Sequence, residues 1–299
     1  MASKSKPGTA TDFFDITLTL DCNNDCVFCP RSELKRVLVP LERLEPLLKK
    51  HRGGVVLTGG EPTLLPDLPA LVKRCKQLGC KRVGVITNGR RVSDKKYMRA
   101  LVSAGLDEIT ISIYSHLPAV HDKYTRKKGS CAQSWLGLRN AMATGIDVKV
   151  NMVLTAKALP QTPKTLGMFK AMGLRQVVII DPVGSQDYAD YGGVAKLQDG
   201  MKDCSFSYPE LVVFRGYPLC VLIPRREMNE IADMLERGTD CGCHLRWEGQ
   251  HLESAGGVGE KNFDKYRRSV TEGFSKPKKL CSGCPADAVC AGIQKGRKL

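Results

Sequence analysis

Short apolar runs rich in β-branched residues alternate with longer amphipathic segments from about residue 13 onward. This alternation is typical of βα units arranged around a parallel sheet. The predicted strands cover residues 14–20, 54–58, 82–87, 108–113, 147–154 and 176–181. The predicted helices cover residues 41–50, 68–78, 94–104, 132–143 and 163–172. Six such strands predict an α/β fold, specifically a partial (β/α)6, TIM-like barrel.

Glycine and threonine mark several of the predicted helix ends. Gly105 and Gly145 follow the third and fourth helices, where glycine can adopt the left-handed conformation that ends a helix. Thr162 directly precedes the fifth helix and is predicted to cap it. These signals support the strand and helix boundaries.

The alternating pattern breaks near Gly184, and residues 185–199 show no clear period. After Cys204 the sequence is irregular, with one helix predicted over residues 226–236. Seven of the 13 cysteines lie in this last part of the chain. We therefore predict a loosely ordered N-terminus (residues 1–12), a barrel (13–200) and a small cysteine-rich C-terminal domain with a basic tail (201–299).

The composition of this 299-residue chain indicates its cellular compartment and the charge of its binding partners. No apolar run has transmembrane length and no secretory signal opens the chain, so we expect a cytoplasmic protein without a membrane partner. Lys and Arg total 46 against 31 acidic residues, which gives a formal charge of +15. This excess favours a nucleic acid, an acidic peptide or a phosphorylated metabolite as partner; a simply solvated basic surface is the alternative. Aromatics form only 6% of the chain and build no RNA-binding signature.

Three cysteines follow the first predicted strand with C-x3-C-x2-C spacing: Cys22, Cys26 and Cys29. Three thiolates this close can ligate three irons of a cubane cluster, whereas cubanes in simple electron carriers take four cysteines. The fourth iron would then be open to a ligand. Three ligands of a zinc site are the alternative, although the first histidine in the chain is His51. A disulfide fits poorly with a reducing cytosol.

Two further motifs follow the second and third predicted strands. Thr58-Gly59-Gly60-Glu61-Pro62 combines glycines, which allow a ligand to approach the backbone, with a carboxylate suited to an ammonium group. Thr87-Asn88-Gly89 follows the next strand. Loops after the carboxyl ends of parallel barrel strands share one rim, so we expect both motifs to lie near the cysteine loop.

The cysteine loop and the Gly-Gly-Glu motif together resemble the radical S-adenosylmethionine (SAM) enzymes over about residues 14–181. The resemblance implies that Cys22, Cys26 and Cys29 are catalytic and bind a 4Fe-4S cluster, whose open iron is chelated by SAM. It also implies that Gly59, Gly60 and Glu61 bind the amino group of SAM. By the same resemblance, further SAM-binding positions are Phe28, Asn88, Ser112, Arg126 and Asn151. For Ser112 and Asn151 the alternative is hydrogen bonding inside the barrel, and for Arg126 a surface position.

The late cysteines resemble the auxiliary-cluster modules called SPASM and twitch domains. A full two-cluster module would need a cysteine at position 294, which is Gln, so one auxiliary 4Fe-4S cluster is expected. Its ligands would come from Cys220, Cys241, Cys243, Cys281, Cys284 and Cys290. A zinc site built from the same cysteines is the alternative.

The resemblance implies an enzyme that cleaves SAM reductively to a 5′-deoxyadenosyl radical and removes hydrogen from a substrate, with flavodoxin or ferredoxin as reductant. The leading expectation is a peptide substrate that is crosslinked, dehydrogenated or epimerised. The alternatives are a dehydrogenase or cyclase of a small metabolite, an RNA-modifying enzyme, and a non-enzymatic zinc or iron-sulfur protein. No motif in the chain identifies the substrate.

Overall fold

The computed structural model describes residues 13–29, 41–50, 53–182, 187, 189–203, 212–215, 274–275 and 293–294. The strands of its main sheet are β1 (Phe13–Thr19), β2 (Gly54–Gly59), β3 (Arg82–Thr87), β4 (Glu108–Ser112), β5 (Asp147–Val153), β6 (Gln176–Ile180) and β7 (Val212–Arg215). The helices are α1 (Leu41–Lys50), α2 (Leu68–Gln77), α3 (Lys95–Ser103), α4 (Pro118–Thr125), α5 (Ser130–Met142), α6 (Thr162–Ala171) and α7 (Tyr191–Asp203). Single 3₁₀ turns occupy Pro62–Leu64, Arg91–Ser93 and Leu159–Gln161.

All seven strands are parallel and lie side by side in chain order. Among the described residues this order has β1 at one end and β7 at the other, so the sheet is an open, partial barrel. The predicted α/β fold is confirmed, and each of the six predicted strands agrees with the observed strand to within a residue or so. A separate two-stranded antiparallel pair joins β8 (Phe274–Ser275) to β9 (Ile293–Gln294).

The hydrophobic core lies between the sheet and the helices that cover it. Every second residue of β5 is buried, namely Val148, Val150 and Met152, as expected for a strand with two different faces. The β2 and β4 strands are buried along nearly their whole length. Long apolar runs of this kind are typical of parallel strands with both faces covered.

Two helices were missed by the sequence prediction, and one cap was wrong. The buried residues of α4 include the polar residues His121 and Thr125, so the buried face of this helix could not be recognised from a pattern of apolar residues. The segment 185–199, which was predicted to lack a regular pattern, contains the first part of α7. At the start of this helix, Gly193 N donates a hydrogen bond to Asp190 Oδ1 at 2.7 Å. Thr162 is the first helical residue of α6 and donates to Ala158 O at 2.9 Å, so it does not act as the cap.

Several predictions concern residues outside the described part of the chain. The helix predicted at 226–236 and all of the late cysteines fall there. Helix α7 crosses the predicted domain boundary at residue 200, and β7 joins the main sheet beyond it. The division at residues 200 and 201 stays a prediction. None of the described helices combines the length and apolar character needed to cross a bilayer.

Candidate active site

Cys22, Cys26 and Cys29 are half-buried thiols in the loop after β1. Burial raises the pKa of Cys22, and it raises the pKa of Cys26 to about 12. The negative charge of a neighbouring thiolate adds to both shifts, which shows that the three sulfurs lie within electrostatic reach of one another. A cationic partner such as iron would stabilise thiolates at these positions. In the described ranges no three or more His, Cys, Asp or Glu side chains enclose a position for a single metal ion.

Helix α4 holds the cysteine loop by its C-terminal backbone. Asp25 N donates to Thr125 O at 2.9 Å, and Val27 N donates to Tyr124 O at 3.0 Å. The last carbonyls of a helix have no partner within the helix, so this end is available to bind another segment. The helix that the sequence prediction missed is thus the platform for the predicted cluster loop.

The loop after β3 also holds the cysteine loop, through Asn88 and Arg90. Asn88 Nδ2 donates to Asn23 Oδ1 at 2.6 Å and lies 3.9 Å from Cys22 Sγ. Arg90 Nη1 donates to Asn23 O at 2.6 Å and to Asn24 Oδ1 at 3.1 Å. Asn88 was a predicted site residue, whereas Arg90 was missed because nothing in its local sequence separates it from a surface arginine.

The Gly59-Gly60 pair lies directly against the start of the cysteine loop. Gly60 N donates to Thr19 O at 2.6 Å, and Glu61 N donates to Asp21 O at 2.6 Å. A Cβ atom at Gly60 would overlap the backbone of Asp21. Gly59 has φ +145°, which a residue with a side chain rarely adopts, and its Cβ would overlap Thr19 O. The predicted contact between the two motifs on one rim is therefore present.

The Glu61 carboxylate points into the protein and is completely buried. Its Oε1 accepts hydrogen bonds from Thr63 N (3.0 Å), Thr63 Oγ1 (2.5 Å) and Thr87 Oγ1 (2.6 Å), and its Oε2 accepts from Asn88 N (2.7 Å). Burial raises the pKa of Glu61, and these donors oppose the shift. The carboxylate thus ties the β2 loop to the β3 loop. Its predicted contact with an ammonium group of SAM stays a prediction.

An aromatic cluster lies beside the cysteines at the end of β4. The rings of Phe28 and Tyr114 pack edge to face with centroids 4.8 Å apart, and Tyr124 lies 6.0 Å from Phe28. His121 stacks on Tyr114 at 5.2 Å. The Tyr114 hydroxyl lies 3.9 Å from Cys26 Sγ. Neither Tyr114 nor His121 was a predicted site residue, because aromatic side chains near a strand end usually indicate core packing.

The remaining predicted SAM positions lie on or near the same rim. Ser112 is half-buried, and its side chain lies close to the Tyr114 hydroxyl, whose pKa it lowers against the rise caused by burial. Asn151 is half-buried on β5 and pairs in register with Ser112. Arg126 is exposed with φ 52° and pairs with Asp25 at 3.3 Å. Their predicted contacts with SAM stay predictions.

Three other described cysteines lie inside the barrel wall rather than at the rim. Cys75 and Cys80 belong to the hydrophobic core, and the Cys80 thiol donates to Leu48 O at 3.7 Å. The Cys131 thiol donates to Ser115 O at 3.7 Å and is 2% exposed. These contacts fit the expected packing role of buried cysteines.

Comparison with known protein families identifies the type of domain that carries this site. The sequence model of the radical SAM superfamily matches residues 16–158, which span β1 to the loop after β5. The chain carries a radical SAM domain. Proteins of this superfamily use a 4Fe-4S cluster and SAM.

Curated relatives of this chain carry the name "Probable GTP 3',8-cyclase". The protein from Saccharolobus solfataricus is 33% identical over 180 residues, which cover 56% of this chain and 57% of the relative. The protein from Methanopyrus kandleri is 30% identical over 209 residues, which cover 68% of this chain and 66% of the relative. The chain thus spans little more than half of the first of these relatives.

Solved structures of other proteins share the fold at low sequence identity. Streptococcus suis SuiB bound to S-adenosylmethionine is 16% identical with a TM-score of 0.60, covering 71% of this chain and 52% of that one. Native anSMEcpe with bound AdoMet and Kp18Cys peptide is 13% identical with a TM-score of 0.62, covering 95% of this chain and 91% of that one. At this identity the likeness concerns the fold alone.

Proposed function

We propose that the protein is a radical SAM enzyme whose active cluster is bound by Cys22, Cys26 and Cys29. The observation that carries the proposal is the convergence of these three thiols with the Gly59-Gly60 backbone at the carboxyl ends of neighbouring strands. The chemistry that the cluster and SAM supply when bound is one-electron cleavage of SAM to methionine and a 5′-deoxyadenosyl radical, which takes hydrogen from a substrate.

The donor set of the loop fits a cluster of this kind. The three thiols are not joined by disulfides, and Asn24 N donates to Cys22 Sγ at 3.3 Å. Asn88 Nδ2 and the Tyr114 hydroxyl also lie against cysteine sulfurs. Hydrogen-bond donors around cysteine sulfur are a usual feature of iron-sulfur sites. Phe28 and the neighbouring aromatic rings would exclude water from one side of the loop.

We further propose a small phosphorylated metabolite, with a nucleotide as the first candidate, as the substrate. The relatives named as GTP cyclases favour this alternative over the peptide that the sequence analysis placed first. Two exposed ammonium groups, on α4 and in the loop after β5, support an anionic substrate: the proximity of Lys157 and its positive charge lower the pKa of Lys123, against the opposing negative charge of Asp187. Two adjacent cations so placed are suited to a phosphate group.

Replacing one predicted cluster ligand tests the reaction class. The full chain is reconstituted anaerobically with iron and sulfide, reduced with dithionite and supplied with SAM, and 5′-deoxyadenosine is measured by mass spectrometry. We expect Cys26→Ala to lower its formation by more than about 100-fold, since even residues that only support metal ligands are worth about 10- to 100-fold. Cys131→Ala is the matched control and should keep the activity, because Cys131 contacts backbone carbonyls inside the wall.

Survival of deoxyadenosine formation in Cys26→Ala would remove the proposed cluster site. The same assay tests the substrate class with the wild-type chain, by adding GTP, other nucleoside triphosphates or short acidic peptides. Stimulation by a nucleotide supports the proposal. Stimulation by peptides alone would overturn the substrate class but leave the radical SAM assignment intact.

A further inference from the structure

The Tyr114 side chain is buried between two other rings, with its hydroxyl toward the cysteine loop. Its residue is buried, its ring is packed edge to face on Phe28 and stacked on His121, and its oxygen lies 3.9 Å from Cys26 Sγ. An oxygen and a sulfur at this separation form a long hydrogen bond. A buried hydroxyl needs a partner, and Cys26 is one that the structure provides.

The chemistry of a bound cluster fixes the direction of this hydrogen bond. In the thiol form either Tyr114 or Cys26 can be the donor. A cysteine that ligates iron is a thiolate and has no proton, so the hydroxyl must then be the donor. The Ser112 side chain opposes the rise in the Tyr114 pKa, so it lies close to the Tyr114 hydroxyl. Ser112 and Cys26 are thus both neighbours of the Tyr114 hydroxyl.

We propose that Tyr114 donates a hydrogen bond to the Cys26 thiolate of the bound cluster and thereby raises the reduction potential of that cluster. This inference rests on the proposed function, because it needs a cluster bound through Cys26. Reduction places additional negative charge on the cluster and its sulfurs, and a donor stabilises that charge more in the reduced form than in the oxidised form. Burial of Tyr114 strengthens the interaction, since little water competes for the sulfur.

Tyr114 therefore acts through Cys26, and its role is to favour reduction of the cluster. The electron comes from an external one-electron reductant, which is oxidised as the cluster is reduced. A higher potential makes that transfer less unfavourable, so Tyr114 increases the fraction of protein that is ready to cleave SAM at a given reductant strength. No proton is transferred in this step, because the hydroxyl keeps its proton.

The test compares Tyr114→Phe with wild type in a redox titration of the reconstituted full chain, followed by electron paramagnetic resonance. The triple variant Cys22→Ala, Cys26→Ala, Cys29→Ala supplies the signal of any other cluster for subtraction. At a fixed potential we expect the ratio of reduced to oxidised cluster to fall roughly three- to tenfold in Tyr114→Phe, based on the usual net worth of a single hydrogen bond. The tenfold limit equals about 59 mV for a one-electron couple.

Two further variants separate this effect from a general disturbance of the loop. Tyr124→Phe is the matched control, because its hydroxyl donates to Asp187 Oδ2 at 2.9 Å while its ring also packs on Phe28. It should leave the potential unchanged. Ser112→Ala keeps the Tyr114 hydroxyl but removes its neighbour, and should shift the potential in the same direction by a smaller amount.

The possible failures are distinguishable. If wild type loads no cluster that the triple variant lacks, the proposed function fails, and this inference fails with it. If wild type loads that cluster but Tyr114→Phe keeps the wild-type potential, the proposed function stands and the role of Tyr114 is overturned. An equal shift in Tyr124→Phe also overturns it. Should Tyr114→Phe not fold, an unchanged potential in Ser112→Ala decides against the inference.

Discussion

At the residue scale, His121 is a polar side chain held neutral by its surroundings. It is fully buried, and its Nδ1 accepts a hydrogen bond from Tyr114 N at 3.3 Å. Its Nε2 has no hydrogen-bond partner among the described residues. Burial lowers the pKa of His121 to about 4, although the charge of Asp122 acts in the opposite direction. The ring is therefore uncharged in the folded protein at neutral pH.

This lowered pKa predicts how the stability of the barrel depends on pH. The unfolded chain takes up a proton at His121 near the ordinary histidine pKa of about 6.5, whereas the folded chain does so only near pH 4. The stabilising contribution is thus complete above about pH 6.5 and is lost as the pH falls towards 4. We expect the free energy of unfolding to fall by about 2 kcal/mol between pH 7 and pH 5 from this residue alone.

The measurement is urea unfolding of the cluster-free full chain at both pH values, with wild type and His121→Asn side by side. Asparagine can still accept the hydrogen bond from Tyr114 N but does not titrate in this range. The variant should be less stable at pH 7 and should lose about 2 kcal/mol less than wild type on acidification. Equal losses in both proteins would show that other groups cause the pH dependence.

At the element scale, β1 and β2 bring the cysteine loop and the Gly-Gly-Glu motif into contact. The closest approach is at Gly60, where a Cβ would overlap the Asp21 backbone one residue before Cys22. Backbone cannot move aside as the end of a flexible side chain can. Gly60→Ala must therefore displace the start of the cysteine loop.

We expect Gly60→Ala to lose most of its iron and sulfide after reconstitution, together with its deoxyadenosine formation. Gly167→Ala is the matched control, since that glycine lies inside α6 and no atom lies within 4 Å of its added Cβ. The control should load the cluster normally and gain up to about 1 kcal/mol in stability from better helix propensity. Normal iron content in Gly60→Ala would show that the loop tolerates a shift at this point.

The elements also show what sequence patterns can and cannot predict here. Strands with long apolar runs and motifs at their carboxyl ends were predictable, because a parallel sheet places those ends on one rim. Helix α7 was not, because Gly192 and Gly193 at its start interrupt the pattern while Val194 and Leu197 are buried further along it. The inward direction of the Glu61 carboxylate also depends on distant partners, Thr87 and Asn88, and so could not be read from the local motif.

At the scale of the whole molecule, the two ends of the barrel have different roles. The carboxyl ends of the strands carry the cysteine loop, Asn88 and Tyr114. The opposite ends of β3, β4 and β5 carry an ion network in which Glu108 is nearly buried. Its Oε2 accepts from Lys149 Nζ at 2.8 Å and from Arg82 Nη2 at 3.3 Å. Residues 108 and 114 are separated by about 20 Å of extended chain.

This separation predicts that Glu108→Gln weakens the fold and spares the chemistry. The amide keeps the shape but removes the buried charge that pairs with Lys149 and Arg82, so we expect the free energy of unfolding to fall by about 1–3 kcal/mol. Asp147, 3.2 Å from Arg82 and 3.9 Å from Lys149, limits the loss because it still pairs with both cations. Deoxyadenosine formation well below the unfolding temperature should stay within about twofold of wild type, or about 0.4 kcal/mol of activation free energy.

A second ion pair supplies the control for this prediction. Glu45 pairs with Arg74 at 2.8 Å, but both side chains are more than a quarter exposed. Exposed pairs contribute at most about 1 kcal/mol, and salt screens them. Glu45→Gln should therefore cost less stability than Glu108→Gln, and added salt should reduce its effect further. The opposite result would be a loss of deoxyadenosine formation in Glu108→Gln with the free energy of unfolding unchanged from wild type. That result would show that the far end of the barrel is coupled to the site. The proposed division of roles between the two ends would then be wrong.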